Sequence, residues 1–132
     1  MYPQAGNSAT VTASKTLTDA DSGLIQNVST LNANTADVVI TLPAAAAGKS
    51  VLVVNSGRRA GGPVGSGSSK SQNVIVRPAG TDTMTGNGFT PAAAKGALSS
   101  KTSHLSGDFL RLVSGAATWY IAELRGTWAR EA

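Results

Sequence analysis

Residues 37–57 read DVVITLPAAAAGKSVLVVNSG, two runs of β-branched residues flanking a proline and four alanines. The fold turns on what lies between the runs. Gly48, Lys49 and Ser50 match the end of the phosphate-loop pattern G-x-x-x-x-G-K-[ST], which would make the chain a nucleotide-binding α/β protein. Pro43 stands where that pattern places its first glycine. The GKS also leads into VLVV, strand chemistry, whereas a phosphate loop opens a helix whose N-terminal amides face the anion. PAAAAG is therefore a tight turn or compact corner between two strands, with Gly48 taking a backbone shape that other residues resist.

The same strand chemistry recurs on both sides. In DVVITL, Val38, Ile40 and Leu42 share one face, as alternation with period two requires. VLVV at 51–54 is apolar on both faces, which predicts a central strand or one covered by a neighbouring subunit. In DFLRLVS, Leu110 and Leu112 share one face, with Phe109, Arg111 and Val113 on the other. ATVTAS, GLIQNVSTL, NVIVR and TWYIAEL complete the set, separated by DADSG, NSG, PAG, GNG and VSG. No stretch of helical length has a 3.6-residue pattern. The expected fold is all-β, a small barrel or sandwich of short antiparallel strands. Residues 1–10 read as an extended N-terminal arm, 11–132 as one β domain, and 57–72 as a flexible Gly/Ser-rich surface loop.

Composition agrees. Of 132 residues, 41% are hydrophobic, but 21 are alanine, so large core residues are few, while serine and threonine number 29. A thin core in so small a domain favours association with further copies. Zero cysteines exclude a disulfide framework and a thiolate metal site. No apolar run has the length of a membrane span, and MYPQAGNSATV lacks the charged and apolar regions of a signal peptide, so a cytoplasmically made protein without membrane partners is expected. The net charge of +4 is too scattered for a nucleic-acid footprint.

Candidate chemistry is sparse. Asp19 and Asp21 in DADSG are too few oxygens for calcium and fit a local Asx-type turn. His104 is the sole histidine, with no cysteine or G-x-S-x-G serine to activate, and reads as solvated or locally hydrogen-bonded. No catalytic, cofactor-binding or metal-ligating residue is assigned, although Asp108 and Glu123 would be the acids to test in a carbohydrate-binding or hydrolysing domain. Contact residues are easier to find. Tyr2 and Pro3 suit an arm anchored on a neighbour, and Arg58, Arg59 and Lys70 make the long loop basic. Adjacent Trp119 and Tyr120 must face opposite sides of a strand, one to the core and one to solvent or a partner. Trp128, flanked by Arg125 and Arg130, has the residue types that anchor interfaces.

Four segments together resemble a β-module recurrent in structural proteins of tailed bacteriophages: VTASKTLTDADSG, VVITLPAAAAGKSVLVVNSG, NVIVRPAGTDTMTGNG and GDFLRLVSGAATWYIAELRGTW. The matching positions include Leu17, Asp21, Gly23, Thr41, Leu42, Pro43, Gly48, Val74, Val76, Pro78, Gly80, Asp82, Gly86, Leu112, Ser114, Gly115, Trp119 and Tyr120, spanning roughly residues 11–128. The 57–72 loop is longer and more basic than the pattern, and SGAAT replaces its S-D-G turn. Because the chain is essentially this module alone, the resemblance implies a head decoration (cement) protein. Such a protein sits as a homotrimer on the outer surface of the capsid, bound to the major capsid protein; Arg58, Arg59 and Lys70 would then either meet acidic capsid loops or stay solvated on the long loop. The module's other setting, a tail fibre, tail spike or baseplate component, is the alternative.

Overall fold

The structure, a computed structural model, describes residues 8–29, 37–57 and 72–132. Among these residues eleven strands follow one another in chain order: β1 Ser8–Val11, β2 Lys15–Thr16, β3 Ile25–Val28, β4 Val38–Thr41, β5 Ser50–Asn55, β6 Val74–Arg77, β7 Thr83–Thr85, β8 Ala97–Ser99, β9 Asp108–Ser114, β10 Thr118–Arg125 and β11 Trp128–Arg130. Among the described residues one 3-10 turn, Asp19–Asp21, occurs, between β2 and β3. The fold is all-β, as the sequence predicts. Ser8–Thr10, expected in the N-terminal arm, belong to β1 and pair with β3. Tyr2, Pro3 and the rest of the arm lie outside the described residues, as do Arg58, Arg59 and Lys70.

The strands form a six-stranded sheet, ordered β1-β3-β5-β9-β10-β7, and a five-stranded sheet, ordered β11-β8-β6-β4-β2. The expectation of antiparallel strands is corrected here, because both sheets are mixed. In the larger sheet β1, β3 and β5 run parallel; in the smaller, β2, β4 and β6 do. From β1 to β6 the chain thus crosses to the opposite sheet after every strand, laying down three stacked coils. The physical reason is that parallel neighbours need a crossover, and here the crossover is a strand of the facing sheet rather than a helix. The turn signals between the early strands are corners between sheets, not hairpins. Within one sheet, β9 and β10 form the hairpin, closed by the Gly115 amide on the Thr118 carbonyl at 2.8 Å.

The 43–49 corner is tied down from several sides. Gly48 has φ +94, a conformation that costs glycine nothing. The Lys49 ammonium reaches the Asp19 carboxylate and the Ala44 carbonyl, both at 2.6 Å. The Ala45 amide donates to Asp82 Oδ2 at 2.7 Å. The Trp119 indole donates to the Pro43 carbonyl at 3.2 Å. No helix follows, and β5 begins at Ser50. The lysine of GKS is a staple between two corners.

One hydrophobic cluster joins the inner faces of both sheets. Val38, Ile40 and Leu42 are buried as alternation requires, opposite Val51, Val53, Leu110 and Leu112 from the larger sheet. Trp119 fills the core with no exposed surface, while its neighbour Tyr120 is 48% exposed. At the edge of the stack the inner layer turns polar: the Lys15 ammonium donates to the buried Gln26 Oε1 at 3.2 Å, leaving Gln26 Nε2 buried without a partner.

Candidate interaction surface

β5 and β9 are interior strands of the larger sheet, so both of their faces matter. Strand register places the outward residues in three cross-strand rows. Ser50, Val113, Tyr120 and Thr85 form one; Ile25, Leu52, Arg111 and Glu123 the next; Asn27, Val54, Phe109 and Arg125 the third. The opposite face packs on the core, and every strand of the smaller sheet lies on that inner side. The rows therefore form an outer face rich in apolar groups. Leu52, Val54, Phe109 and Ile25 are half-buried by their neighbours. Val113 is 39% and Tyr120 48% exposed, and they sit directly opposite each other across β9 and β10.

Among the described residues three large apolar side chains are exposed, and two of them form this pair; the third, Leu105, lies on the connection between β8 and β9. Contiguous exposed apolar surface marks an interaction site more reliably than scattered residues do. The smaller sheet has its own outward apolar row, Val39, Ile75, Leu98 and Ala129, in which no large side chain is exposed. Charges occupy the middle row of the larger face and the β10 end of the third. Arg111 Nε and Glu123 Oε1 are 2.8 Å apart across the hairpin, with side chains 49% and 59% exposed, and Arg125 stands opposite Phe109.

A bulge decides which residues join this face. Leu112 pairs with Ile121 and Arg111 with Glu123, so Ala122 is an extra residue in β10. It shifts the alternation by one, turning Glu123 outward and letting Leu124 pack on the core with Ile121. Tyr120 is held in place as well, since a Cβ at Gly115 would lie 2.9 Å from its Cε2. Its ring lies across the turn of the hairpin.

Of the contact residues expected from sequence, Arg125 is exposed on this face. Trp128 is not a surface group: it is 6% exposed, in the core cluster, and its indole donates to the Arg125 carbonyl at 2.9 Å. Arg130 is half-buried and hydrogen-bonds to the Thr90 and Glu131 carbonyls. The inward position has a physical reason: β11 pairs with β8 at the edge of the smaller sheet, and its first residue points to the core. Sequence reading passed over Leu52, Phe109 and Val113 as contacts, although alternation had already put Phe109 and Val113 on the face away from Leu110.

The remaining candidates serve structure. Asp21 Oδ2 accepts from the Thr18 amide at 2.8 Å, capping the 3-10 turn in place of the expected Asx-type turn. No group of three or more His, Asp or Glu side chains able to hold a metal occurs among the described residues. His104 is buried rather than solvated, its ring nitrogens each 2.9 Å from a carbonyl oxygen, of Ser100 and of Gly57. Asp108 is buried on the inner face and accepts from the Leu105 amide at 2.9 Å, whereas Glu123 lies on the outer face of the same sheet. The two carboxylates point to opposite sides and cannot flank one bond.

No family model, curated protein or solved structure matches this chain.

Proposed function

We propose that this chain is a structural virion protein of a tailed bacteriophage, made in the host cytoplasm, that binds the outer surface of the capsid as a homotrimer and cements neighbouring capsomers. The observation that carries the reading is the outer face of the larger sheet, where Val113 and Tyr120 stand exposed amid half-buried Ile25, Leu52, Val54 and Phe109. A stapled, sandwich-like body with an apolar face suits a protein whose work is holding other proteins together. The phage resemblance of residues 11–128 supplies the choice of partner, the major capsid protein. No cofactor, nucleic acid or membrane enters this reading.

The mechanism is avidity. A single contact between one copy and one capsid subunit is weak. Once one copy of a trimer is bound, the others engage at high effective concentration, which raises overall affinity by about 100-fold or more. A ligand that bridges subunits only in the assembled shell stabilises that shell by mass action. Purified protein mixed with undecorated heads is expected to co-sediment with them and raise the temperature at which they release DNA. Protein that stays in the supernatant overturns the cement reading.

A second reading, a component of the tail fibre, tail spike or baseplate, is favoured by the parallel coils. β1 and β2 are edge strands of their two sheets and both belong to the first coil, so further strands can add there. Antibody labelling in the electron microscope separates the two: gold over the tail rather than the head selects this one.

A further inference from the structure

We infer that Asn87 is a site of spontaneous covalent conversion, in which its side-chain amide is lost and an aspartyl or isoaspartyl residue takes its place. The conversion needs water alone and does not depend on the function proposed above.

Asn87 and Gly88 form the two-residue loop between Gly86 and Phe89. Those flanking residues pair as an antiparallel bridge, and the Phe89 amide donates to the Gly86 carbonyl at 2.9 Å. Asn87 has φ +50 and Gly88 φ +78. Positive φ at both positions defines a type I′ turn, and Asn-Gly is the pair that suits it best. Three features then open the pair to reaction. Both residues lie on the surface. A Cβ at Gly88 would meet nothing within 4 Å, so its nitrogen is accessible to base and its backbone is free to rotate. Neither the Asn87 side chain nor the Gly88 amide hydrogen-bonds among the described residues. The other asparagines are held or crowded. Asn55 and Asn73 commit their side chains to hydrogen bonds, and Asn27 precedes the β-branched Val28 within β3. Asn7, Asn32 and Asn34 also precede residues with a side chain, which hinders the attacking nitrogen; Asn87 alone precedes glycine.

The chemistry balances with water as the sole co-reactant. Base removes the Gly88 amide proton, and the nitrogen attacks Asn87 Cγ. The new C–N bond closes a succinimide ring, and the side-chain nitrogen leaves as ammonia. Water then opens the ring. Cleavage of the Cγ–N bond gives aspartate on an unchanged main chain. Cleavage at the former backbone carbonyl gives isoaspartate, with the main chain rerouted through Cγ. The two products differ for the fold. Aspartate tolerates left-handed backbone as asparagine does. Isoaspartate lengthens the loop by a methylene and pulls on the Gly86–Phe89 bridge, whose Phe89 side chain packs against the core. Either product puts a carboxylate two residues from Thr85, which pairs with Tyr120 on the outer face. Net charge falls from +4 to +3, since one neutral amide becomes an anion.

The test follows the full chain, folded in mildly alkaline buffer, by cation exchange and by mass analysis of its proteolytic fragments. An acidic species is expected to grow in, with the mass gain of an amino group exchanged for a hydroxyl, traced by fragmentation to Asn87. Part of it should co-elute with Asn87→Asp, and the rest should be labelled by an isoaspartyl methyltransferase. The labelled fraction should unfold at a lower urea midpoint than Asn87→Asp. Asn87→Gly keeps a pair of residues suited to the turn and is expected to lose the acidic species entirely. A mass gain that appears first at another asparagine overturns the proposal, as does an acidic species that persists in Asn87→Gly. Folded chains that stay unconverted while guanidinium-unfolded ones react overturn it too, because the turn then shields the pair.

Discussion

Gly96 precedes β8, and a Cβ built on it would lie 1.8 Å from the Val76 carbonyl oxygen of β6. Backbone cannot yield as a side chain can. Gly96→Ala is therefore expected to destabilise by about 3 kcal/mol, the upper range for overpacking, read as a lower urea midpoint with an unchanged slope. Gln26 has the opposite prospect. Its Nε2 is buried without a partner, which costs about 1–3 kcal/mol. Gln26→Met keeps the shape, removes the orphaned donor and releases the half-exposed Lys15 to solvent. A gain of about 1 kcal/mol in unfolding free energy is expected, and a loss of stability would mean that the Lys15 contact outweighs the stranded amide. Neither residue stood out in the sequence. A glycine in PAAAKGAL and a glutamine in GLIQNV show their constraint only when a second strand comes alongside.

At the scale of elements, the alternation in DVVITL and DFLRLVS was legible because an uninterrupted strand obeys period two. The inward and outward sets fell where counting placed them. In TWYIAELR the count fails after Ile121, since the bulge at Ala122 reverses it, and no residue type announces a bulge. The C-terminal lock was hidden too. Glu131 pairs with Arg77, with Nε to Oε1 at 3.1 Å and Nη2 to Oε2 at 2.7 Å, and it accepts from the Gly96 amide at 3.0 Å. These partners are distant in sequence, and only the β6-β8-β11 ladder brings them together. Burial alone would push the Glu131 carboxyl up, but the Arg77 and Gly96 hydrogen bonds and the charges of Arg77 and Lys95 outweigh it and hold it below its ordinary value. A carboxyl depressed in the folded state contributes stability that is complete above its unfolded pKa and is lost as pH falls through the folded one. Glu131→Gln should thus cost about 2 kcal/mol at pH 7, less than a fully buried pair because Arg77 is partly exposed. The gap from wild type should shrink as the pH drops below about 4. A pH-independent gap would assign the effect to packing instead.

For the whole molecule, fold class was legible and connectivity was not. Short runs at short intervals read as antiparallel strands, because a short turn is the cheapest link between neighbours. Nothing in Pro43 to Gly48 says that the chain is crossing between sheets until the facing strands exist. The shared core has a thermodynamic corollary. Ile40 and Leu110 belong to different sheets but to one cluster. Ile40→Ala and Leu110→Ala should each cost about 2–5 kcal/mol and shift a single transition, with Trp119 fluorescence and far-ultraviolet dichroism melting together. Separate transitions would mean that the sheets unfold independently.

Because β1, β3 and β5 run parallel, as do β2, β4 and β6, the connections from the larger to the smaller sheet all leave from one end of the body. In the first three laps those links span residues 12–14, 29–37 and 56–73, whereas the return corners at the far end are pinned by Lys49, Ala45 and Trp119. Residues spliced into the third link would add length between β5 and β6 without touching the pairing of any described strand.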